Sequence, residues 1–255
     1  MKIALIQTDL FWEDASKNRE NFDSKINEID SEVNLIVLPE MFSTGFTMNA
    51  SDVAETMQGE TLEWMKLKAE QKNAAITGSI IISENGNFYN RMLFVFPSGD
   101  FQYYDKRHLF SLAGEDQFYT PGTQKVIVDY LDWKICLQIC YDLRFPVFSR
   151  NVENYDLLLY VANWPKVRTS AWDTLLNARA IENLSYVAAV NRIGFDDNDF
   201  EHNGHSQIID FWGNYIIKPQ ETTGVFVAEL DKNIMLETRR KLNFLGDRDN
   251  FEIKI

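Results

Sequence analysis

Trp133-Lys-Ile-Cys-Leu-Gln-Ile139 runs directly into Cys140-Tyr-Asp-Leu-Arg-Phe-Pro146. The first seven residues are an apolar run of strand length, and the polar stretch after them, closed by a proline, reads as a turn into a helix. A buried strand that breaks sharply at this point holds the Cys140 thiol at an elbow, exposed for attack. Two other strand-like runs also end on charges: Leu35-Ile-Val-Leu-Pro-Glu40, and Phe101 to Asp105 leading into Lys106. Strand ends gather along one edge of a sheet, so a thiol, a carboxylate and an ammonium can converge there although they are far apart in the chain.

Working outward, short runs rich in Ile, Val, Leu and Phe recur at 3–7, 34–38, 75–82, 91–96, 125–129, 133–139, 157–162, 186–191, 205–211 and 224–230. Helical spacing of apolar residues lies between several of them. Asp14 to Asp30 sets Phe22, Ile26 and Ile29 on one face, Glu60 to Lys72 sets Leu62, Met65 and Ala69, and Ser170 to Ser185 sets Leu175, Ala178, Ile181 and Leu184. Ser170 followed by Asp173 resembles a capping box with Asp in place of Glu or Gln. Turn chemistry marks Asn85-Gly86-Asn87, Pro97-Ser-Gly-Asp100 and Trp212-Gly-Asn214. Strands alternating with helices and interrupted by hairpins predict an α/β or mixed α+β layered fold, with one domain over residues 1–255 and no repeat.

A chain of 255 residues with 45% hydrophobic content can bury a large core. Its net charge of −13 argues against a nucleic-acid partner, which requires a basic footprint, and against an anionic membrane surface. Ile3-Ala-Leu-Ile6 is too short for a signal-peptide core or a spanning helix, so a cytoplasmic protein is expected. Cys136 and Cys140, four apart on one strand, would have Cα atoms roughly 13 Å apart at about 3.3 Å per residue. A disulfide needs less than about 7 Å, so both are expected to be free thiols.

A thiol of ordinary pKa is only a few per cent thiolate near neutral pH, a shortfall of roughly 2 kcal/mol in nucleophile activation. Lys106 would favour the anionic sulfur by its charge. Glu40 would take the proton as general base and return it to a leaving amine. The oxyanion of a tetrahedral intermediate also needs donors, each worth about 2.7 to 4 kcal/mol in other hydrolases. Lys106 is one candidate, and the backbone N–H of Tyr141, next after the elbow nucleophile, is the other. With all three functions supplied by side chains, the chemistry calls for no metal and no cofactor. Because the site is read as a strand edge outside the core, Lys106→Ala is expected to abolish activity and leave the fold intact.

Pro39-Glu40, Asp105-Lys106-Arg107-His108-Leu109 and Ile139-Cys-Tyr-Asp-Leu-Arg-Phe-Pro146 resemble, in order, the three signature segments of the nitrilase, or carbon-nitrogen hydrolase, superfamily. Asn163-Trp164-Pro165, Ala178-Arg-Ala-Ile-Glu-Asn183, Val190-Asn-Arg-Ile-Gly194 and Gly204-His-Ser206 resemble later blocks, so the likeness spans nearly the whole chain. The resemblance implies a Glu40-Lys106-Cys140 triad on a four-layer αββα sandwich that pairs into a homodimer. It also implies that a second glutamate, Glu115, positions the lysine or the substrate. Through Glu40-Met-Phe-Ser-Thr-Gly-Phe-Thr-Met48 and Ala113-Gly-Glu115 the chain looks most like the YafV-type omega-amidases, which deamidate 2-oxo dicarboxylic acid monoamides such as 2-oxoglutaramate. Nitrile hydrolysis and N-carbamoyl amide cleavage use the same triad and remain alternatives. A silent binding domain and a papain-like enzyme using His108 or His205 are weaker ones.

Beyond the triad, Arg168 soon after Trp164-Pro165 could pair bidentately with a substrate carboxylate. Phe46 and Trp164 are candidate pocket walls. His202 and His205 are spaced as a metal pair, but no third ligand stands nearby, and 195–201 reads as an acidic surface loop. Cys136 reads as an inert core residue.

Overall fold

The computed structural model describes residues 1–30 and 32–253. The first half of the chain runs β1 (Lys2–Gln7), α1 (Ala15–Asn27), β2 (Leu35–Val37), α2 (Ala50–Val53), α3 (Glu60–Lys72), β3 (Ala75–Glu84), β4 (Asn87–Val95), β5 (Phe101–Asp105) and α4 (Glu115–Phe118). The second half runs β6 (Ile127–Tyr130), β7 (Trp133–Ile139), α5 (Pro146–Ser149), β8 (Leu157–Ala162), α6 (Thr169–Asn183), β9 (Tyr186–Asn191), β10 (Ile193–Phe195), β11 (Glu201–Asn203), β12 (Gln207–Ile209), β13 (Tyr215–Ile217), β14 (Gly224–Glu229) and α7 (Lys232–Leu242).

These strands make two six-stranded sheets, ordered β14-β1-β2-β3-β4-β5 and β13-β12-β9-β8-β7-β6, and a small β10-β11 hairpin. Each large sheet has a parallel centre, β1-β2-β3 in one and β7-β8-β9 in the other. Parallel neighbours require a crossover, and α1, α3 and α6 supply three of them. Hairpins add the antiparallel edges. Asn85 and Gly86 at the β3-β4 turn both have positive φ, 52° and 79°, as a two-residue turn matched to strand twist demands.

Side-chain alternation shows how the layers stack. In β1, Ile3 and Leu5 enter a cluster shared with Ile135, Leu137, Leu157 and Leu159 of the second sheet. Ala4 and Ile6 face the other way, onto Phe22 and Ile26 of α1 and Leu62, Met65 and Ala69 of α3. Trp172, Leu176 and Ala180 of α6 close the second sheet's side. The result is the expected order of helix, sheet, sheet, helix.

Several details differ from the sequence reading. The Ser170 capping box does not form, because α6 starts one residue earlier. The Thr169 hydroxyl donates back to the Lys166 carbonyl, and the Asp173 carboxylate instead receives Gln207 and the ring of His205. Helix α7, absent from that reading, is highly charged, buries only Met235, and starts on Asp231, whose carboxylate accepts from the amides of Asn233 and Ile234. Residues 195–201 are not simply a surface loop, since they connect β10 to β11 and reach the cavity described below. Both cysteines are free and buried.

Leu176 is fully buried between α6 and the second sheet. Leu176→Ala should cost about 2 to 5 kcal/mol of unfolding free energy in urea titration, with activity per folded molecule retained. A loss under about 1 kcal/mol would mean that α6 does not seal that face.

Candidate active site

Each strand-end residue is set in place by backbone bonds. Beyond β2, the amide of Leu38 donates to Thr77 O and that of Met41 to Ser79 Oγ at 2.8 Å, which fixes the turn that carries Glu40. Beyond β5, the Lys106 amide donates to Asn90 O at 3.0 Å and its carbonyl accepts from Gly122. Glu115 opens α4, where its Oε2 accepts the Phe110 amide. Beyond β7, Cys140 starts a 3-10 turn, Cys140–Arg144, with φ of +43°. That is a strained conformation for any residue with a side chain, and it swings the thiol out of the strand's line. The sequence reading expected a helix here, but the chain first makes this tighter turn and only then the short α5.

The charged groups do converge. Lys106 Nζ donates to Glu40 Oε1 at 2.8 Å and to both Glu115 oxygens, at 3.0 and 2.9 Å. All three of its N–H donors are thereby matched to carboxylate oxygens. The amide of Asn163, just past β8, donates to Glu40 Oε2 at 2.8 Å, and Asn163 Nδ2 donates to the Glu40 carbonyl at 2.5 Å. Cys140 Sγ lies 3.9 Å from the Asn163 carbonyl. Asn90, a residue type uncommon in strands, stands in β4 and donates to Glu40 Oε1 at 2.8 Å and Glu115 Oε1 at 3.3 Å. That oddity was its only signal in the sequence.

Burial corrects two expectations. Lys106, Glu40 and Glu115 are no more than 1% exposed, so the site is part of the interior and not a solvated strand edge. Cys140 is itself 9% exposed and only one face of it meets the cavity. Burial pushes its thiol pKa well up and the Glu40 charge adds to this, while Lys106 opposes both without prevailing. The resting group is therefore a thiol, and Lys106 does not hold it as thiolate. Burial pulls Lys106 down, but Glu115 and Glu40 more than offset that and keep it an ammonium. Glu115 is raised, by burial first, with Lys106 countering.

Cys140 and Lys106 open onto a cavity of about 490 Å³. Phe46, Tyr141, Trp164 and Arg168, the four candidate substrate-binding residues, all line it. The Phe46 ring lies 5.1 Å from Lys106 Nζ, and Trp164 Nε1 donates to Arg168 O at 2.8 Å. The Arg168 guanidinium sits 5.3 Å from the Phe110 ring, and that of Arg144 sits 5.0 Å from the Trp164 ring. Among the described residues neither guanidinium has a carboxylate partner. Arg144 was quoted only as part of a motif. Its place on the cavity follows from the 3-10 turn, which no spacing rule announces.

The histidines go elsewhere. His108 Nδ1 pairs with Asp142 at 2.7 Å and His205 lies between Asp173 and Glu221, so neither is hydrogen-bonded to Cys140. His202 Nδ1 donates to the Phe200 carbonyl at 3.0 Å. Among the described residues no three His, Cys, Asp or Glu side chains group as metal ligands, and no helix is long and apolar enough to cross a membrane.

Comparison with known proteins follows the same lines. The carbon-nitrogen hydrolase family model matches residues 2–240. The chain is 44% identical to omega-amidase YafV of Yersinia enterocolitica over 98% of each protein. It is 32% identical to 2-oxoglutaramate amidase of Bacillus subtilis over 96% of each. A crystal structure from Xanthomonas campestris, of a CN-hydrolase superfamily protein with an arsenic adduct in its active site, superposes with a TM-score of 0.97 at 40% identity. That match covers 100% of this chain and 99% of the other.

Two predictions follow from burial. Lys106→Ala would leave Glu40 and Glu115 buried without their shared cation, so chemical denaturation should show a loss of about 3 to 5 kcal/mol, contrary to a fold left intact. His202, 3% exposed, has its pKa lowered to about 3 by burial and then by the Arg192 charge. Unfolding releases it to titrate near 6.5, so its contribution is unchanged above that pH and turns destabilising as pH falls toward 3. Between pH 7.5 and 5 His202→Asn should lose about 2 kcal/mol less than the parent in urea titrations. Equal pH slopes for the two would contradict this.

Proposed function

Because the chain belongs to the carbon-nitrogen hydrolase family, we propose that it is an omega-amidase that cleaves a small 2-oxo dicarboxylic acid monoamide, such as 2-oxoglutaramate, to the acid and ammonia. The carrying observation is the buried Glu40-Lys106-Glu115 cluster beside Cys140, at the base of a cavity walled by two arginines that have no carboxylate partner among the described residues. Unpaired cations are a notable feature in a chain of net charge −13. They suit a substrate whose far end is a carboxylate. The names of the Yersinia and Bacillus relatives point the same way.

In this reading Glu40 takes the Cys140 proton as Sγ attacks the amide carbonyl carbon. Burial raises the thiol's pKa, so its proton has to pass to Glu40 for the sulfur to attack. Lys106 Nζ, turning one N–H from Glu115 toward the cavity, and the N–H of Tyr141 receive the oxyanion. The first amides of a helical turn have no partner within it, which leaves the Tyr141 N–H free for this role. The intermediate collapses as Glu40 returns the proton to the nitrogen, and ammonia leaves a thioester on Cys140. Water then attacks the thioester carbon, giving its proton to Glu40, and collapse releases the acid and restores the thiol. Glu115 orients Lys106 throughout. Arg168, with Arg144 beside it, pairs the distal carboxylate, while Phe46 and Trp164 form apolar walls. No cofactor or metal enters any step. One domain over residues 1–255, a cytoplasmic location and a homodimer complete the proposal.

The test is ammonia release from 2-oxoglutaramate, N-carbamoyl amino acids and aliphatic nitriles under one set of conditions. The monoamide should lead, Cys140→Ala should abolish turnover, and Arg168→Ala should lower kcat/KM about 10- to 100-fold, mostly through KM. Preference for a nitrile or a carbamoyl compound would replace the omega-amidase reading with one of those activities. Full activity in Cys140→Ala would remove the nucleophile altogether.

A further inference from the structure

Asp142, two residues past Cys140, is fully buried and takes no part in the steps above. Its carboxylate nevertheless accepts four hydrogen bonds. Oδ2 accepts the Ile139 amide at 2.9 Å and the Tyr104 hydroxyl at 2.7 Å. Oδ1 accepts the His108 amide at 3.0 Å and the His108 Nδ1–H at 2.7 Å. The Tyr104 oxygen in turn accepts the Arg107 amide at 3.0 Å. Residues on both sides of Lys106 are thus tied, directly or through one hydroxyl, to a carboxylate that belongs to the cysteine turn. The same carboxylate holds Ile139, whose neighbour Cys140 carries the strained φ. The His108 ring also stacks flat on Phe145, with centroids 3.7 Å apart and planes at 4°, so a second contact joins the same two segments.

Lys106 follows β5 in one sheet and Cys140 follows β7 in the other, and among the described residues no hydrogen bond links their side chains. We propose that Asp142 is a positioning residue that sets Cys140 Sγ against Lys106 Nζ and Glu40, by clamping the cysteine turn and the lysine-bearing strand end to a single carboxylate. The inference rests on Cys140 and Lys106 acting as described above. An ionised carboxylate accepts at both oxygens, whereas Asn replaces one oxygen with a donor. Asp142→Asn therefore loses at least the backbone amide bond at the oxygen it replaces, from Ile139 or from His108, and keeps the Tyr104 hydroxyl or the His108 ring there only by reversing that group's role, which loosens one segment relative to the other. A shift of about 1 Å in reacting atoms can cost about 100-fold in rate.

The test uses purified full-length variants, assayed well below their melting temperatures with the monoamide as substrate. Asp142→Asn should lower kcat about 100-fold with KM held within about threefold. Tyr104→Phe, which removes one of the four bonds, should lower kcat about 5- to 10-fold. His108→Ala should also lower kcat, and His108→Asn, whose side-chain N–H can stand where Nδ1–H stood, should recover most of it. A purely packing role for the stacked ring would predict no such recovery. Parental kcat in Asp142→Asn, a change confined to KM, or His108→Asn no better than His108→Ala would each overturn the proposal. Should Asp142→Asn fail to fold, Tyr104→Phe and the His108 pair decide alone. Cys140→Ala in the same assay separates the two readings. If it is active, the nucleophile assignment falls, and if it is dead beside an unimpaired Asp142→Asn, only the role of Asp142 falls.

Discussion

One ammonium, that of Lys106, is shared between the buried carboxylates of Glu40 and Glu115, and the rest of the site is arranged around that contact. Removing ions from water costs several kcal/mol each unless partners replace the lost hydration. Here Lys106 finds three carboxylate bonds, Glu40 adds the amides of Asn163 and Asn90, and Glu115 adds the amide of Phe110. Two carboxylates against one ammonium leave an excess negative charge in a dry place. Burial first, with that excess charge adding to it, makes the Glu115 carboxyl hold a proton more readily than usual and raises the pKa of the neighbouring thiol. A substrate carbonyl developing negative charge would add to it, which makes the cation and the peptide N–H groups around the cavity indispensable to any acyl transfer there.

The cluster also explains why two sheets are needed. Glu40 and Lys106 come from strand ends of one sheet, and Cys140 and Asn163 from strand ends of the other. Asn163 crosses the gap twice to Glu40, and Asp142 crosses it to Tyr104 and His108. The apolar contacts between Leu5, Phe94, Leu137 and Leu159 press the layers together but carry no directional information. The polar crossings supply direction. Close-packed layers resist small shifts, so bonds made at one end of the interface are held by packing along its length.

Much of this was legible in the sequence, for reasons that can be stated residue by residue. Apolar runs marked most of the strands, because a strand buried on both faces needs continuous apolar residues, as in Leu157 to Ala162. The three motif segments marked Glu40, Lys106 and Cys140 because charged or reactive groups at the ends of such runs are informative in combination. What stayed hidden depends on partners distant in sequence. A strand-end lysine reads alike whether it is solvated or, like Lys106, covered by α4 and the Phe46 loop. Helix α7 went unseen because its apolar residues Ile234, Met235 and Leu236 fall in one short run within a highly charged stretch and only Met235 is fully buried. The Ser170 capping box failed because the helix already begins at Thr169, which puts Ser170 inside it and leaves Asp173 to meet His205 and Gln207. Asn90 acts through Glu40 and Glu115, and three of the four bonds of Asp142 go to Tyr104 and His108, partners that only the fold brings near.

The cavity's electrostatics close the argument about specificity. A chain of net charge −13 repels anions at long range, but at physiological salt that field is screened within about 8 Å. Inside the cavity the balance reverses, because Arg144 and Arg168 rest on aromatic faces and have no carboxylate partner among the described residues. Asp196 also lines the cavity, but among the described residues it forms no ion pair with either arginine, its Oδ1 accepting from the amides of Asn198 and Phe200. Guanidinium groups stacked on rings stay partly desolvated and keep their planar donors free for a carboxylate that fits between the walls. On the proposed reading, recognition of an anionic amide rests on contacts made after entry, in the same chamber where the thiol, the buried carboxylate and the shared ammonium face the other end of the molecule.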